Sequence, residues 1–343
     1  MDDTMSTPFN PEYRGRARRM VMLVRREFWE HRALWALPAI LVALSVLLTL
    51  FSLAAPGRIN AHLQDEGPRI GIDGQNRSLT QLIPGLAHSG LHVELGEVTV
   101  GNLLRFFADL PFEVREQALR LMLLATAKSL LLPLGFLVLA LTINVLRRET
   151  RSRSIYFFKS MPLGELEMIG AKVLVLAPLC WLIMVLTVAA SHLGSMLVMS
   201  VAALFAGLNP WTVLWAPAPL LSAWGSVAGE LALDFLWFLP MLGFFFAVNA
   251  WNDARRLAAA MAVLVAAVAD ELFFSGGGLF HWLGRHVPPP GWALRGPRGD
   301  AFQEFSRMGQ LETLDWASLL SGIAVGLALL WLSTWLLRWK EER

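Results

Sequence analysis

From Val173 to Gly229 the chain runs 57 residues without one Asp, Glu, Lys or Arg. Water-soluble domains do not tolerate such a stretch, whereas a bilayer requires it: roughly 20 apolar residues carry a helix across the hydrocarbon core. Backbone groups in lipid must bond within a helix or a closed barrel, and an uninterrupted apolar run lacks the alternation of barrel strands. Helices are therefore expected. The whole chain agrees, with 55% hydrophobic residues, 16% charged residues and a mean hydropathy of +0.52. That composition excludes a soluble domain.

Six windows are long and apolar enough to cross: Ala33 to Ala55, Leu121 to Leu146, Val173 to about Ser200, Leu231 to Trp251, Leu257 to Phe274, and Ala317 to Leu337. The fold class expected is an all-α membrane protein, residues 1–343 forming one transmembrane domain. Basic residues set its orientation. Arg14, Arg16, Arg18, Arg19, Arg25, Arg26 and Arg32 precede the first span; Arg147, Arg148, Arg151, Arg153, Lys159 and Lys172 lie between the second and third. Arg255 and Arg256 follow the fourth, and Arg338, Lys340 and Arg343 end the chain. With six spans these eighteen of the 29 basic residues share one side, so both termini are expected in the cytoplasm. An extra crossing within 173–229 would put Arg255 and Arg256 outside. One long helix is expected there, followed by an external re-entrant or interfacial segment from Gly207 to Gly229. Asn209-Pro210 supplies its turn, and Trp211, Trp215 and Trp224 suit the headgroup boundary.

The first span starts at Ala33 behind a long basic segment, which reads as an uncleaved anchor. Cys180 is the one cysteine, so neither an intrachain disulfide nor a cysteine-based metal cluster can form. Outside the membrane, residues 56–120 hold a short alternating piece, LHVELGEVTV, and an amphipathic pattern, VGNLLRFFADLPFEVREQALR. A small subdomain with a β element and a helix is expected. Residues 275–316, with Gly276-Gly277-Gly278 and Pro288-Pro289-Pro290, read as an external loop with short interfacial helices.

On the cytoplasmic side, residues 14–32 contain MVMLVRREFWEHR. Met20, Leu23, Val24 and Phe28 recur at helical spacing, with Arg25, Arg26, Glu27 and Glu30 elsewhere on the wheel. Such a helix lies along the interface, either as a basic anchor beside the first span or as a docking element for a partner. The loop 147–172 says more. Its basic start is followed by Ile155, Tyr156, Phe157 and Phe158, Pro162 stops the helix from continuing, and Gly164 with Glu165 and Glu167 can begin the next. A loop that only satisfied the positive-inside bias would need the arginines but not the aromatic knob, and exposed aromatic patches rimmed by charge mark contact surfaces.

The string RRETRSRSIYFFKSMPLGELE resembles the cytoplasmic loop of ABC-type-2 exporter permeases, in which such a pattern forms the coupling helix. Arg153, Ser154, Ile155, Phe157, Phe158, Lys159, Ser160 and Pro162 match position by position, while Gly164 stands where the family more often has Ser. LVRREFWEHRALW is similar to the family's connecting helix, with Arg25, Arg26, Phe28 and Trp29, and LPMLGFFFAVNAWNDARR to its turn after the fourth span. The resemblance implies an exporter subunit of a bacterial inner membrane. A separate ATPase would seat on Arg151, Arg153, Ile155, Phe157, Phe158, Lys159, Met161 and Pro162, and a second permease copy would complete the pathway. The chain has no G-x-x-x-x-G-K-S/T phosphate loop, so ATP and Mg are expected on the ATPase and no cofactor on this chain. Nucleic acid is not an expected partner.

Three intramembrane charges stand out: Lys128, Asp234 and Asp270. Lys128 lies about 10 Å inside the outer end of its span at ~1.5 Å per residue. A charge there calls for a partner, and Asp234 or Asp270 is the expected one, as a helix lock or in a substrate path. Two other classes stay open at this point: a membrane subunit that transmits force without passing a substrate, and a membrane-embedded enzyme. The enzyme has little behind it, since H-E-x-x-H is absent, Ser226 in GSVAG is misplaced for a nucleophile elbow, and a lone His192 in a span is expected to be a packing donor. The apolar spans favour an amphipathic or lipid-like cargo.

Overall fold

The computed structural model describes residues 11–54, 69–72, 75–78, 100–144, 165–251, 282–283, 286–287 and 315–339. These are helical apart from one two-stranded hairpin. The helices are α1 (Pro11–Glu30), α2 (Ala33–Ala54), α3 (Val100–Asp109), α4 (Phe112–Ile143), α5 (Glu165–Leu174), α6 (Cys180–Phe205), α7 (Leu220–Trp251) and α8 (Trp316–Trp339). Five stretches are long and apolar enough to cross a membrane: Ala33–Leu53, Phe112–Ile143, Leu166–Phe205, Leu220–Ala250 and Trp316–Arg338. They are the makings of a multi-pass membrane protein. The expected span at 257–274 lies outside the described residues.

Helix ends follow from local chemistry. Pro111 is extended, at φ −53° and ψ 150°, and breaks the amphipathic pattern of 100–120 into two helices. Its first half is α3; its second half becomes the opening turns of α4, which starts nine residues before the expected span. At 32 residues α4 is about 48 Å long, against a hydrocarbon core of about 30 Å, so its charged first turns project beyond the membrane. The strands are Arg69–Ile72 and Gln75–Ser78, paired antiparallel with Ile72 opposite Gln75. The alternating piece expected as a strand, 91–100, falls outside the described residues except for Val100, which opens α3.

The 40-residue stretch Leu166–Phe205 is continuous, joining α5 to α6 through a wide π-helical turn, Val175–Leu179. Pro178 sits in that turn; its missing N–H and its ring disfavour a regular i−4 ladder there. Gly207, at φ 75°, stops the helix. Its N–H bonds to the Leu204 carbonyl at 3.0 Å and the Leu208 N–H to the Ala203 carbonyl at 2.9 Å, the paired closure of a left-handed glycine cap. Asn209 Oδ1 then accepts the Trp211 N–H at 2.9 Å, a second wide turn spans Trp211–Trp215, and α7 begins at Leu220. The connection between α6 and α7 is therefore shorter than the expected Gly207–Gly229 segment, because no proline follows Pro219 until Pro240 and residues 220–229 join the following helix despite Gly225 and Gly229. The uncharged stretch thus holds most of one long helix, a connection and the first turns of α7.

Helix α7 forms the centre, packed against α8 most extensively. A Cβ on Gly243 would stand 2.6 Å from the Gly326 carbonyl oxygen, and one on Gly326 would stand 2.8 Å from the Leu239 backbone. The two backbones touch, which only glycine permits. Gly322-x-x-x-Gly326 on α8 is the small-residue spacing that lets membrane helices approach. The core fills in around Leu131, Leu134, Met184, Leu231, Phe238 and Phe246, drawn from α4, α6 and α7.

Candidate functional site

The basic-side ends of the helices meet in a compact polar junction. Helix α1 ends at Glu30, the chain turns through His31, and α2 begins two residues later with Leu34 buried. Helix α5 begins at Glu165, where Gly164 and the acidic first turn were expected to start a helix. The two helices cross near Gly170, where a Cβ would lie 3.6 Å from the Met20 methyl. Two turns of α1 further on, Lys172 Nζ donates to Glu27 Oε1 at 2.9 Å. Both residues are buried, Lys172 to 3% exposure and Glu27 to 8%. His31 Nε2 lies 3.7 Å from the other Glu27 oxygen, too long for a hydrogen bond. Burial alone would push the Glu27 carboxyl up, but His31 and Lys172 outweigh it and hold the group at about 2. The carboxylate is ionised and the pair is charged.

Of the connecting-helix residues, Arg26 bonds Glu30 at 2.8 Å and Phe28 packs on the main core with its ring edge against Trp29, centroids 5.9 Å apart. Arg25 and Trp29 are exposed and share a face with Val21 and Met22. The sequence wheel set Glu27 apart from the apolar face, and the structure turns it inward, because a buried Lys172 compensates its charge. Arg151, Arg153, Ile155, Phe157, Phe158, Lys159, Met161 and Pro162 lie outside the described residues. Asn249, in the stretch compared with the turn after the fourth span, donates to the carbonyls of Phe245 at 2.7 Å and Ile143 at 3.1 Å. It ties the end of α4 to α7 on the same side.

The intramembrane charges are arranged differently from expectation. Lys128 pairs with Glu230 at 2.9 Å, not with Asp234, and Asp270 lies outside the described residues. Glu230 sits one residue before the window drawn for the fourth span, so the charge-free criterion itself hid it. Since α7 starts at Leu220, Glu230 is inside the helix, one turn before the buried Asp234. The Lys128 and Glu230 side chains are 28% and 19% exposed, partly shielded, and they join α4 to α7. His192 serves packing: Trp224 Nε1–H donates to Nδ1 at 3.2 Å, which leaves Nε2–H to donate to the Leu123 carbonyl at 2.8 Å.

His286 was missed. Sequence reading put it in the loop 275–316; the structure buries its ring on Trp282, 4.2 Å between centroids, and beside Trp237 on α7 at 4.8 Å. A Cβ on Gly322 would collide with that ring, so the Gly322-x-x-x-Gly326 spacing was the available sequence signal. Among the described residues no three His, Cys, Asp or Glu side chains gather as a metal site. No protein-family model, curated protein or solved structure matches the chain.

Proposed function

We propose that the chain is the membrane-spanning permease subunit of an ATP-driven ABC-type-2 exporter in a bacterial inner membrane. The observation that carries this reading is the buried Glu27–Lys172 pair. It joins the amphipathic connecting helix to the helix that starts directly after the basic and aromatic loop, so displacement of the loop reaches both elements together. A loop that merely satisfied topology would need no buried lock behind it. In this reading the basic side is cytoplasmic, six spans include 257–274, and two permease copies pair with two ATPase copies that hold ATP and Mg. The aromatic pair Phe157 and Phe158 seats in the ATPase, which must grip the loop unequally in its two nucleotide states, or ATP would shift nothing. Export is the work of the assembly; this chain supplies the pathway and the lever and carries out no catalysis. The Lys128–Glu230 pair acts as a helix lock.

The test is purification of the tagged full-length chain from its native membrane. An ATPase is expected to copurify, and Phe157→Ala with Phe158→Ala is expected to lose it or to leave hydrolysis uncoupled from the permease, with the helical fold intact. Unchanged copurification and unchanged coupling in that variant would remove the docking role.

A further inference from the structure

A cleft of about 570 Å³ lies between α2, α3, α4 and α6, on the side of the molecule away from the basic junction. Its size falls within the roughly 300–1,000 Å³ of small-molecule sites. Six hydroxyl residues line it, Ser45, Thr49 and Ser52 from α2, Thr126 and Ser129 from α4, and Ser195 from α6, and every other lining residue is Leu, Val or Met. No charged side chain is among them.

Five of the six hydroxyl protons are already committed, that of Ser45 being the exception. Thr126 donates to the Met122 carbonyl at 2.8 Å, Ser129 to that of Thr126 at 2.8 Å, and Ser52 to that of Thr49 at 2.7 Å. Thr49 donates to the Ser45 carbonyl at 3.0 Å, so in its 3.0 Å contact with Ser195 it is Ser195 that donates. What remains toward the cleft is mainly acceptor lone pairs, with the Ser45 hydroxyl as a single donor. Among the described residues an anion finds one neutral donor and no cation there, and an uncharged group with O–H donors finds several acceptors. Val100, Leu103 and Leu104 of α3 line one end of the cleft, and the flanking residues Leu47, Leu50 and Phe51 of α2, an apolar helix long enough to span a bilayer, are exposed. The way in is from the bilayer.

We propose that this cleft holds the aliphatic chain of an uncharged, hydroxyl-bearing amphiphile, a lipid of the monoacylglycerol class, with its hydroxyls against Thr49, Ser129 and Ser195. Calling that lipid cargo rests on the exporter reading; the binding does not. The full-length chain in phosphatidylcholine vesicles, without ATPase, is exposed to a monoacylglycerol with a photoreactive group in its chain, and to the same chain as free fatty acid and as methyl ester. Monoacylglycerol labelling of α2 and α6 peptides is expected to exceed the other two by about tenfold, the effect of one or two net hydrogen bonds. Thr49→Val with Ser129→Ala brings it down to the ester level, and Ser45→Trp, or Leu44→Trp where the first fails to fold, blocks all three probes.

Equal labelling by the three probes, preference for the fatty acid, or efficient disulfide pairing of two copies through Ser45→Cys would overturn the proposal, the last by showing a second copy in the cleft. Selective labelling without a copurifying ATPase would sink the exporter reading and leave the site standing. Copurification without selective labelling would sink the site alone.

Discussion

At the scale of single residues, Glu27 and Lys172 carry the most consequence. Removing one partner takes the ion pair from a charge that stays buried, and such losses cost roughly 3–5 kcal/mol, whereas replacing both by apolar residues of similar volume is near neutral. Glu27→Gln is therefore expected to detach α1, read as a sharp rise in hydrogen exchange over residues 20–30. Glu27→Leu with Lys172→Met is expected to restore protection; if the double variant is as loose as the single, the pair is not what holds α1. The same carboxyl predicts a pH window. Its folded value of about 2 lies below the ordinary 4.5, so its contribution is complete above about pH 4.5 and is lost as pH falls toward 2. The protection of α1, with the intrinsic pH dependence of amide exchange divided out, should stay level from neutral pH down to that point and fall below it. None of this was legible in the sequence. Lys172 read as one more topogenic base and Glu27 as part of a solvated face, because a contact across 145 residues leaves no local pattern. His192 was legible: a lone histidine in an apolar span needs partners on neighbouring helices, and Trp224 and Leu123 provide them.

Among elements, α7 and α8 give the clearest expectation. Gly326→Leu drives a side chain into the Leu239 backbone, and the helices must part, an overpacking cost of roughly 1–3 kcal/mol or more. A lower melting temperature in detergent is the readout. Gly225→Ala is the control, since nothing lies within 4 Å of its added Cβ and the helix interior gains roughly 0.5–1 kcal/mol. If both glycines behave alike, close backbone approach does not hold this pair. Element positions were legible where charge-free windows matched bilayer thickness, as for Ala33 onward and Trp316 onward. They were less so where a helix outgrew the membrane: α4 and α7 each begin about ten residues before the apolar window, because helix formation stops at Pro111 and Pro219 rather than at the lipid boundary. The hairpin was missed for another reason. Asp73-Gly74 between its strands is a strong short hairpin cue, but the second flank, Gln75–Ser78, is wholly polar and carries no strand alternation.

For the whole molecule, sidedness is the property to measure. The native Cys180 is buried and will not react with an impermeant thiol reagent, so single cysteines can be introduced without a background. Trp29→Cys is expected to react from the cytoplasm and Phe205→Cys, at 89% exposure beyond the other end of α6, from the opposite side. Labelling of both from one side would overturn the topology. The overall helical architecture was legible because the solvent imposes it; the choice of partners within it was not, since leucine-rich faces toward lipid and toward protein look alike. One feature joins the two ends of the molecule. The continuous stretch Leu166–Phe205 is about 60 Å long, and Lys172 near its start and Ser195 near its finish are about 35 Å apart along one axis. A tilt of about 5° at the junction sweeps the finish through roughly 5 Å, about the pitch of one helical turn. Amplification of that kind needs stiffness, and the wide turn at Pro178 interrupts the regular ladder six residues beyond Lys172. A regular helix from Cys180 to Phe205 is the stiff part of the rod, and under the proposed coupling the turn at Pro178 decides how much of any tilt reaches it.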